Sequence, residues 1–305
     1  MSQGTLKKLV LALIVALVLW GALTLYPRGG RSADASPEVV AFLDGVGDEA
    51  SIQSVRFRSP DGDSVVLVHS DAGWSVNGFP TDSARVAQFL DVLSEAAVRE
   101  LVARNAANHD RMGMANDSAY TIEVDADAYT GSLLLGDAGS RYGTTYVRAP
   151  DEDEVYLVEG NLSVHARRSL DDWRSKRIVS VDTASVAHLD VTRDSSRYSL
   201  SRGDSTWTFA DGSEADAAAV RNILTELRDL RGAGFLAEED SVATLPPGGS
   251  IVATSADGAL LASIELGSGD NERWAMRVGD TVLYRLGSYR VDRVAPPRER
   301  LVPSG

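Results

Sequence analysis

Two stretches of the chain share one pattern of apolar and polar positions. Each stretch begins with short alternating segments that include a tryptophan, Trp74 in the first and Trp207 in the second. An acid and then apolar residues at helical spacing follow each tryptophan. The recurring positions are Asp82, Val86, Leu90 and Leu93 in the first stretch and, at one constant spacing along the chain, Asp216, Val220, Leu224 and Leu227 in the second. The pattern therefore predicts one domain built twice.

The elements within each copy follow from local signals. Short β-rich runs separated by turn residues, such as the Pro-Asp-Gly at 60–62, predict antiparallel strands. Asp82 and Asp216 each precede an apolar helical face and are predicted helix caps. The predicted fold class is α+β, with an N-terminal transmembrane helix followed by two tandem repeats of an antiparallel-sheet domain with one packed helix each.

The transmembrane helix is predicted over residues 9–26, a stretch without charge that lies between Lys7–Lys8 and Arg28. Its length is near the lower end of the roughly 17–25 residues that cross a bilayer. The two lysines favour an N-terminus inside the cell, which would make this a single-pass inner-membrane protein with an extracytoplasmic, periplasmic body. A cleaved signal peptide is the alternative, since Ala33-Asp34-Ala35 resembles a cleavage site.

The predicted organisation has six parts. Residues 161–177 place acids before bases, an order that suits the dipole of a solvated connecting helix. The predicted parts are 1–31 as cytoplasmic tail and transmembrane helix, 32–49 as tether, 50–160 as repeat domain 1, 161–183 as connecting helix, 184–296 as repeat domain 2, and 297–305 as C-terminal tail.

Composition narrows the classes of partner. The 305-residue chain has a net charge of −14, which argues against binding to nucleic acid because phosphate must be neutralised by Lys and Arg. Cysteine is absent, so disulfides, thiolate metal sites and a cysteine nucleophile are excluded. The oligomeric state is left open.

No residue cluster identifies a reaction. The four histidines, His69, His109, His165 and His188, are widely spaced and match no metal-binding motif. The acidic groups at 61–63, 125–127 and 151–154 fall at predicted turns, where Asp is favoured for backbone reasons. We assign no catalytic, cofactor-binding or metal-binding residue and expect no cofactor, and we leave any binding residue unknown. Trp74 and Trp207 are predicted core residues.

The order of motifs resembles the domain of unknown function 4340 family. The likeness covers nearly all of the chain after residue 49, although the loop at 111–114 and the Pro-Pro at 246–247 depart from the pattern. The matching motifs are Trp74-Ser-Val with Asp82, Trp207-Thr-Phe with Asp216, Leu135-Gly136, Leu266-Gly267, Tyr146-Val-Arg with Val155-Tyr156, and Trp173-Arg-Ser-Lys176.

The resemblance implies an accessory role beside an ABC-type transporter, with no catalytic residues to carry over. We therefore expect a non-enzymatic, membrane-anchored extracytoplasmic interaction protein whose partner is a transporter or envelope component. The alternatives are an envelope hydrolase that uses paired carboxylates and a small-ligand binding protein. Residue-level function is expected where the copies differ, at the 105–118 loop, the 151–154 acidic turn and the 161–177 connector.

Overall fold

The chain contains two compact units that meet in sequence between Arg174 and Ser175. The structure is a computed structural model, and it describes residues 35–193, 196–236, 247–267 and 273–303. We call the part before the boundary unit 1 and the part after it unit 2. Each unit is built around one antiparallel sheet.

Unit 1 has nine strands in one sheet within residues 35–174. Their order across the sheet is β4-β3-β2-β1-β6-β7-β8-β9-β5. The strands are β1 (Ile52–Arg58), β2 (Ser64–Ser70), β3 (Gly73–Val76), β4 (Phe79–Pro80), β5 (Val98–Ala103), β6 (Tyr120–Ala126), β7 (Tyr129–Ala138), β8 (Thr144–Arg148) and β9 (Val155–Glu159). Alternation along the strands buries one apolar face, as with Val55 and Phe57 in β1.

Four helices within residues 35–174 pack on that apolar face. They are α1 (Pro37–Gly45), α2 (Ser83–Ser94), α3 (Leu162–Ala166) and α4 (Leu170–Trp173). The Asp82 carboxylate accepts a hydrogen bond from Ala84 N at 3.2 Å and so caps α2. The buried face of α2 consists of Val86, Phe89, Leu90 and Leu93, the spacing that the sequence predicts.

Unit 2 repeats the strand order of unit 1. In its described part, the sheet order is β13-β12-β11-β16-β17-β18-β19-β15, and β10 pairs with β14. The strands are β10 (Arg177–Val179), β11 (His188–Arg193), β12 (Ser196–Arg202), β13 (Trp207–Phe209), β14 (Leu230–Arg231), β15 (Gly234–Phe235), β16 (Pro247–Thr254), β17 (Leu260–Gly267), β18 (Arg273–Arg277) and β19 (Tyr284–Leu286). The helices are α5 (Ala217–Arg228), capped by Asp216, and α6 (Ser288–Val294).

The predicted fold class is wrong in its count of packed helices. Nine strands at about 4.8 Å spacing make a sheet roughly 40 Å wide, whereas the 12-residue α2 is roughly 18 Å long. A single helix therefore covers only part of the apolar face, and α1, α3 and α4 cover more of it through Phe42, Leu162 and Trp173. The described part of the chain is mostly antiparallel sheet with few helices.

The fold class is also corrected at its N-terminus. The predicted transmembrane helix over 9–26 lies outside the described residues. Among the residues that the structure does describe, no helix has the length and apolar character needed to span a bilayer.

The segment at 161–183 contains two short helices and a strand. A connecting helix is predicted there, but Ser169 begins a new helix because its Oγ accepts from Asp172 N while the Asp172 carboxylate accepts from Ser169 N. Trp173 at the end of α4 is fully buried in the core of unit 1. It stacks on Phe57, with 5.8 Å between the ring centroids, and meets Phe89 edge-on at 5.6 Å.

Candidate functional site

The 105–118 loop lies on the face of the unit 1 sheet opposite to α2. It joins β5 to β6 and contains only two single turns of 3₁₀ helix, Ala106–Asn108 and Asp110–Met112. Met114 of this loop is fully buried and packs with Ala103 and Val155. A long loop with little secondary structure of its own is therefore fixed on the sheet.

Arg148, the last residue of β8, joins this loop to the acidic turn. Its side chain is buried, with 4% of the residue exposed. Nη1 donates to the carbonyl oxygens of Pro150 at 2.9 Å and Glu152 at 2.8 Å. Nη2 donates to Asn116 Oδ1 at 2.8 Å and to the Met114 carbonyl at 3.3 Å. One guanidinium thus holds two surface segments that are more than thirty residues apart in sequence.

His109 provides a second connection between the loop and the acidic turn. Its Nε2 lies 2.9 Å from the carbonyl oxygen of Asp153. Because a carbonyl only accepts, Nε2 carries the proton and the imidazole donates. His109 is itself buried, with 7% exposed, so it has a structural role here rather than that of a free base.

Burial and charge act in opposite directions on Arg148. Burial lowers the pKa of Arg148 from its ordinary value, while the carboxylates of Asp153 and Asp151 raise it. The guanidinium remains a cation, and its hydrogen bonds offset the cost of removing it from water. Among the described residues, Arg148 Nε and Glu152 Oε2 are buried without a hydrogen-bond partner. The site is a buried polar centre beneath an exposed surface, and the hydrogen bonds of Nη1 and Nη2 hold it in place.

Arg148 fixes a surface that consists of the 105–118 loop and the 150–154 turn. We call this surface the platform. It exposes more acids than bases. The exposed acids are Asp110, Asp117, Asp151 and Asp153, and the exposed base is Arg111. The platform combines two of the three segments in which the sequence copies differ.

The third segment, the connector, covers a cavity of about 390 Å³ in unit 1. The cavity lies at the end of the sheet where β1 and β6 meet, below residues 166–170. Its apolar walls include Phe57, Val65 and Leu170, and Arg168 and Asp63 are among its polar walls. The sequence offered no signal for this cavity, since its walls come from five separate segments.

The remaining histidines lie in unrelated surroundings. His69 is exposed and stacks on Trp74, with 4.9 Å between the ring centroids. His188 Nδ1 lies 3.1 Å from Ser201 Oγ on the neighbouring strand. His165 is buried beside Phe89 and Trp173, and burial, reinforced by Arg168, lowers its pKa to about 4. The imidazole of His165 is therefore neutral at pH 7.

Two of the acidic groups lie at strand turns and make hydrogen bonds within the protein. In the 125–127 group, the Asp125 carboxylate accepts from Thr130 Oγ1 at 2.8 Å, and the Asp127 carboxylate accepts from Gln53 Nε2 at 2.8 Å. In the 61–63 group, at the β1–β2 turn, Asp63 N donates to Ser59 Oγ at 3.1 Å. Within the described residues, no group of three or more His, Asp or Glu side chains is arranged to hold a metal ion.

The match to protein-family models decides the family. Residues 74–248, more than half of the chain, match the model DUF4340, whose description is a domain of unknown function. The chain belongs to the DUF4340 family. Comparisons with curated proteins and with solved structures find no match.

The Leu-Gly motifs of this DUF4340 chain have a packing explanation. A Cβ on Gly136 would collide with the Met112 carbonyl and Met114 Sδ of the platform loop. A Cβ on Gly267 would collide with the indole of Trp274. In both copies the glycine therefore leaves room for a side chain or loop that closes over the end of the strand.

The two DUF4340 tryptophans differ in burial. Trp207 is buried, with 9% exposed, and the Arg202 guanidinium lies 5.1 Å from the centre of its ring system. Trp74 is only half-buried, but it packs against the core of unit 1, so the predicted core packing holds for both tryptophans and is less complete at Trp74.

Proposed function

We propose that this DUF4340 chain is a non-enzymatic accessory protein that acts outside the cytoplasm and binds a protein partner through the platform. The partner is a component of an ABC-type transporter or of an envelope complex. The observation that carries the proposal is the buried guanidinium of Arg148, which fixes two surface segments at once.

The arrangement at Arg148 favours binding over simple stabilisation of the core. A buried charge costs free energy, and an apolar residue of similar volume often stabilises a core equally well. What Arg148 adds is a fixed conformation of the 105–118 loop and the 150–154 turn. A preorganised surface loses less conformational entropy when it binds, and binding residues are commonly carried on loops of a rigid scaffold.

The charge of the platform indicates the kind of partner. Four acids and one base are exposed on it, and the whole chain carries a net charge of −14. A basic surface would complement the platform, and opposite charges would speed the encounter. We therefore expect binding to weaken as ionic strength rises.

The transporter or envelope assignment has a different support. It rests on the likeness of the sequence to DUF4340 proteins, which resemble accessory proteins of gliding-type ABC transporters. The net negative charge of the chain also disfavours nucleic acid as a partner.

The proposal is tested by affinity capture of the tagged full-length chain from the cell envelope of its host, with mass spectrometry of the captured proteins. We expect a subunit of an ABC-type transporter or envelope complex to be captured with the native chain. The double variant Asp151→Lys with Asp153→Lys should lose this subunit, because it reverses charge on the platform.

The matched control is Asp71→Lys with Asp204→Lys, two exposed acids that lie outside the platform. It changes the net charge equally and should capture the subunit as the native chain does. Equal capture by both double variants, or the absence of such a subunit from every sample, would contradict the proposal.

A further inference from the structure

Unit 2 has a position equivalent to the cavity below residues 166–170. In unit 2 a large side chain fills this position. Val65 of the cavity wall pairs with Phe57 across β1 and β2. Tyr198 pairs with Val191 across the equivalent strands, β11 and β12. Val65 and Tyr198 therefore occupy the same position in the two copies, and the smaller side chain lies in unit 1.

Two contacts show how unit 2 closes this position. The Tyr198 hydroxyl donates to the Pro296 carbonyl at 2.7 Å. Arg193 lies two residues after Val191, as Ser59 lies two residues after Phe57 in unit 1. It donates to the Ala295 carbonyl at 2.9 Å and pairs with Asp292 at 2.6 Å. The segment after the last strand is thus fastened to the sheet by a tyrosine and an arginine in unit 2.

Unit 1 has Val65 and Ser59 in place of these two large side chains, and the cavity is the result. The same fold fills the position in unit 2, so the fold itself does not require a cavity. Its volume of about 390 Å³ is within the range of small-molecule sites, about 300–1,000 Å³.

Arg168 gives the cavity its chemical character. Its Nη1 is buried, and within the described part of the chain it has no hydrogen-bond partner. The guanidinium lies 5.2 Å from the ring system of Trp173, whose Nε1 is also buried without an acceptor. The neighbouring Arg167 differs, because it pairs with Asp137 at 2.6 Å. Arg168 itself is one of the residues that line the cavity, so the cavity wall carries a cation there.

The charges around Arg168 set the preferred ligand charge. Burial lowers the pKa of Arg168, the nearby Arg85 lowers it further, and Asp172 opposes both. A ligand anion would relieve this local excess of positive charge. Asp63 also lines the cavity and would repel a second negative charge on the ligand. One negative charge therefore suits the site better than two.

We propose that the cavity of unit 1 binds a small monocarboxylate with an apolar body. The carboxylate pairs with the Arg168 guanidinium, and the apolar body contacts Phe57, Val65 and Leu170. The site is separate from the platform, because it lies on the helix-covered face of the sheet and the platform lies on the opposite face.

Calorimetric titration of the purified full-length chain tests the proposal with three probes. They are 3-phenylpropanoate, its uncharged amide 3-phenylpropanamide, and inorganic phosphate. We expect the carboxylate to bind at one site and the amide to bind about tenfold more weakly or worse, because it cannot form the charge pair. Phosphate should bind more weakly than the carboxylate.

Two variants locate the binding in the cavity. Arg168→Met removes the charge, and Val65→Tyr fills the space with the residue that unit 2 uses. Each should weaken 3-phenylpropanoate binding by about tenfold or more. Val68→Tyr makes the same substitution at an exposed position of the same strand and should bind like the native chain.

Circular dichroism establishes that each variant is folded, and Arg168→Met alone decides the question if Val65→Tyr does not fold. The proposal is overturned if the carboxylate does not bind, if the amide or phosphate binds as tightly, or if folded Arg168→Met binds the carboxylate like the native chain.

Discussion

The backbone N–H of Asp82 donates to the backbone carbonyl of Trp173 at 2.9 Å. Unit 2 repeats this relationship, because Asp216 N donates to the Leu301 carbonyl at 2.7 Å. Both acids are helix caps, so in each copy the start of the packed helix is fastened to the segment that follows the last strand. Residues 162–173 therefore have the same structural role in unit 1 that residues 290–301 have in unit 2.

Removing the Trp173 side chain should destabilise the protein strongly. Trp173 is fully buried between Phe57 and Phe89, so we expect Trp173→Ala to reduce the free energy of unfolding by about 3–5 kcal/mol. Trp74→Ala is the matched control, because it deletes the same side chain where it is half-buried. Urea unfolding measures both variants. Equal losses would contradict the packing described here.

A methyl group at Gly136 should disturb the platform loop. The added Cβ would collide with Met112 O and Met114 Sδ, so we expect Gly136→Ala to cost about 1–3 kcal/mol. Gly234→Ala is the control, since a Cβ there meets nothing within 4 Å. Thermal unfolding compares the two variants. A midpoint for Gly136→Ala as high as that of the control would show that the loop does not lie against Gly136.

Replacing Arg148 should release both platform segments. Arg148→Met leaves buried carbonyl oxygens without their donor, and we expect a loss of about 3–5 kcal/mol in the free energy of unfolding. Hydrogen exchange should accelerate in the 105–118 loop and the 150–154 turn together. Arg58→Met, which removes an exposed ion pair with Glu123, should cost about 0–1 kcal/mol and leave the exchange of the platform unchanged. Faster exchange in only one platform segment would refute the role of Arg148 as a joint support.

The buried His165 should make stability depend on pH. Its pKa falls from 6.5 to about 4 in the folded protein, so protonation favours the unfolded chain. The contribution of neutral His165 to the free energy of unfolding is fully present above about pH 6.5. It declines as the pH falls toward about 4, by at most about 1.4 kcal/mol per pH unit. Urea unfolding at several pH values should show a shallower decline for His165→Leu than for the native chain. The control His69→Leu changes an exposed histidine, and its free energy of unfolding should decline with falling pH as that of the native chain does. Parallel declines in all three proteins would contradict the role of His165.

Local sequence signals predict a helix when its cap and its apolar face lie close together in the sequence. The α2 helix is visible in the sequence because its cap, Asp82, and its apolar face all lie within one short window. The break between α3 and α4 also has a local signal, the Ser169 and Asp172 of a capping box. The connecting-helix prediction overlooks this signal because the order of acids and bases over 161–177 suggests one continuous helix.

The candidate sites depend on relationships that no local window contains. Arg148 binds mainly backbone carbonyls, which any residue type supplies, so its partners leave no trace in composition. The difference between Val65 and Tyr198 becomes visible only when the strand register aligns the copies, because their preceding turns differ in length. The sequence nevertheless indicates where to look, since the platform and the cavity both involve segments in which the copies differ.

Site-specific photo-crosslinking in the native host tests the central claim most directly. A benzophenone amino acid is placed at Asp117 or Asp151 on the platform and, as a control, at the exposed Asp204 of unit 2. The platform positions should crosslink to a subunit of an ABC-type transporter or envelope complex, and Asp204 should not. Crosslinking to such a subunit from Asp204 alone, or from none of the three positions, would contradict the claim that the platform is the binding surface.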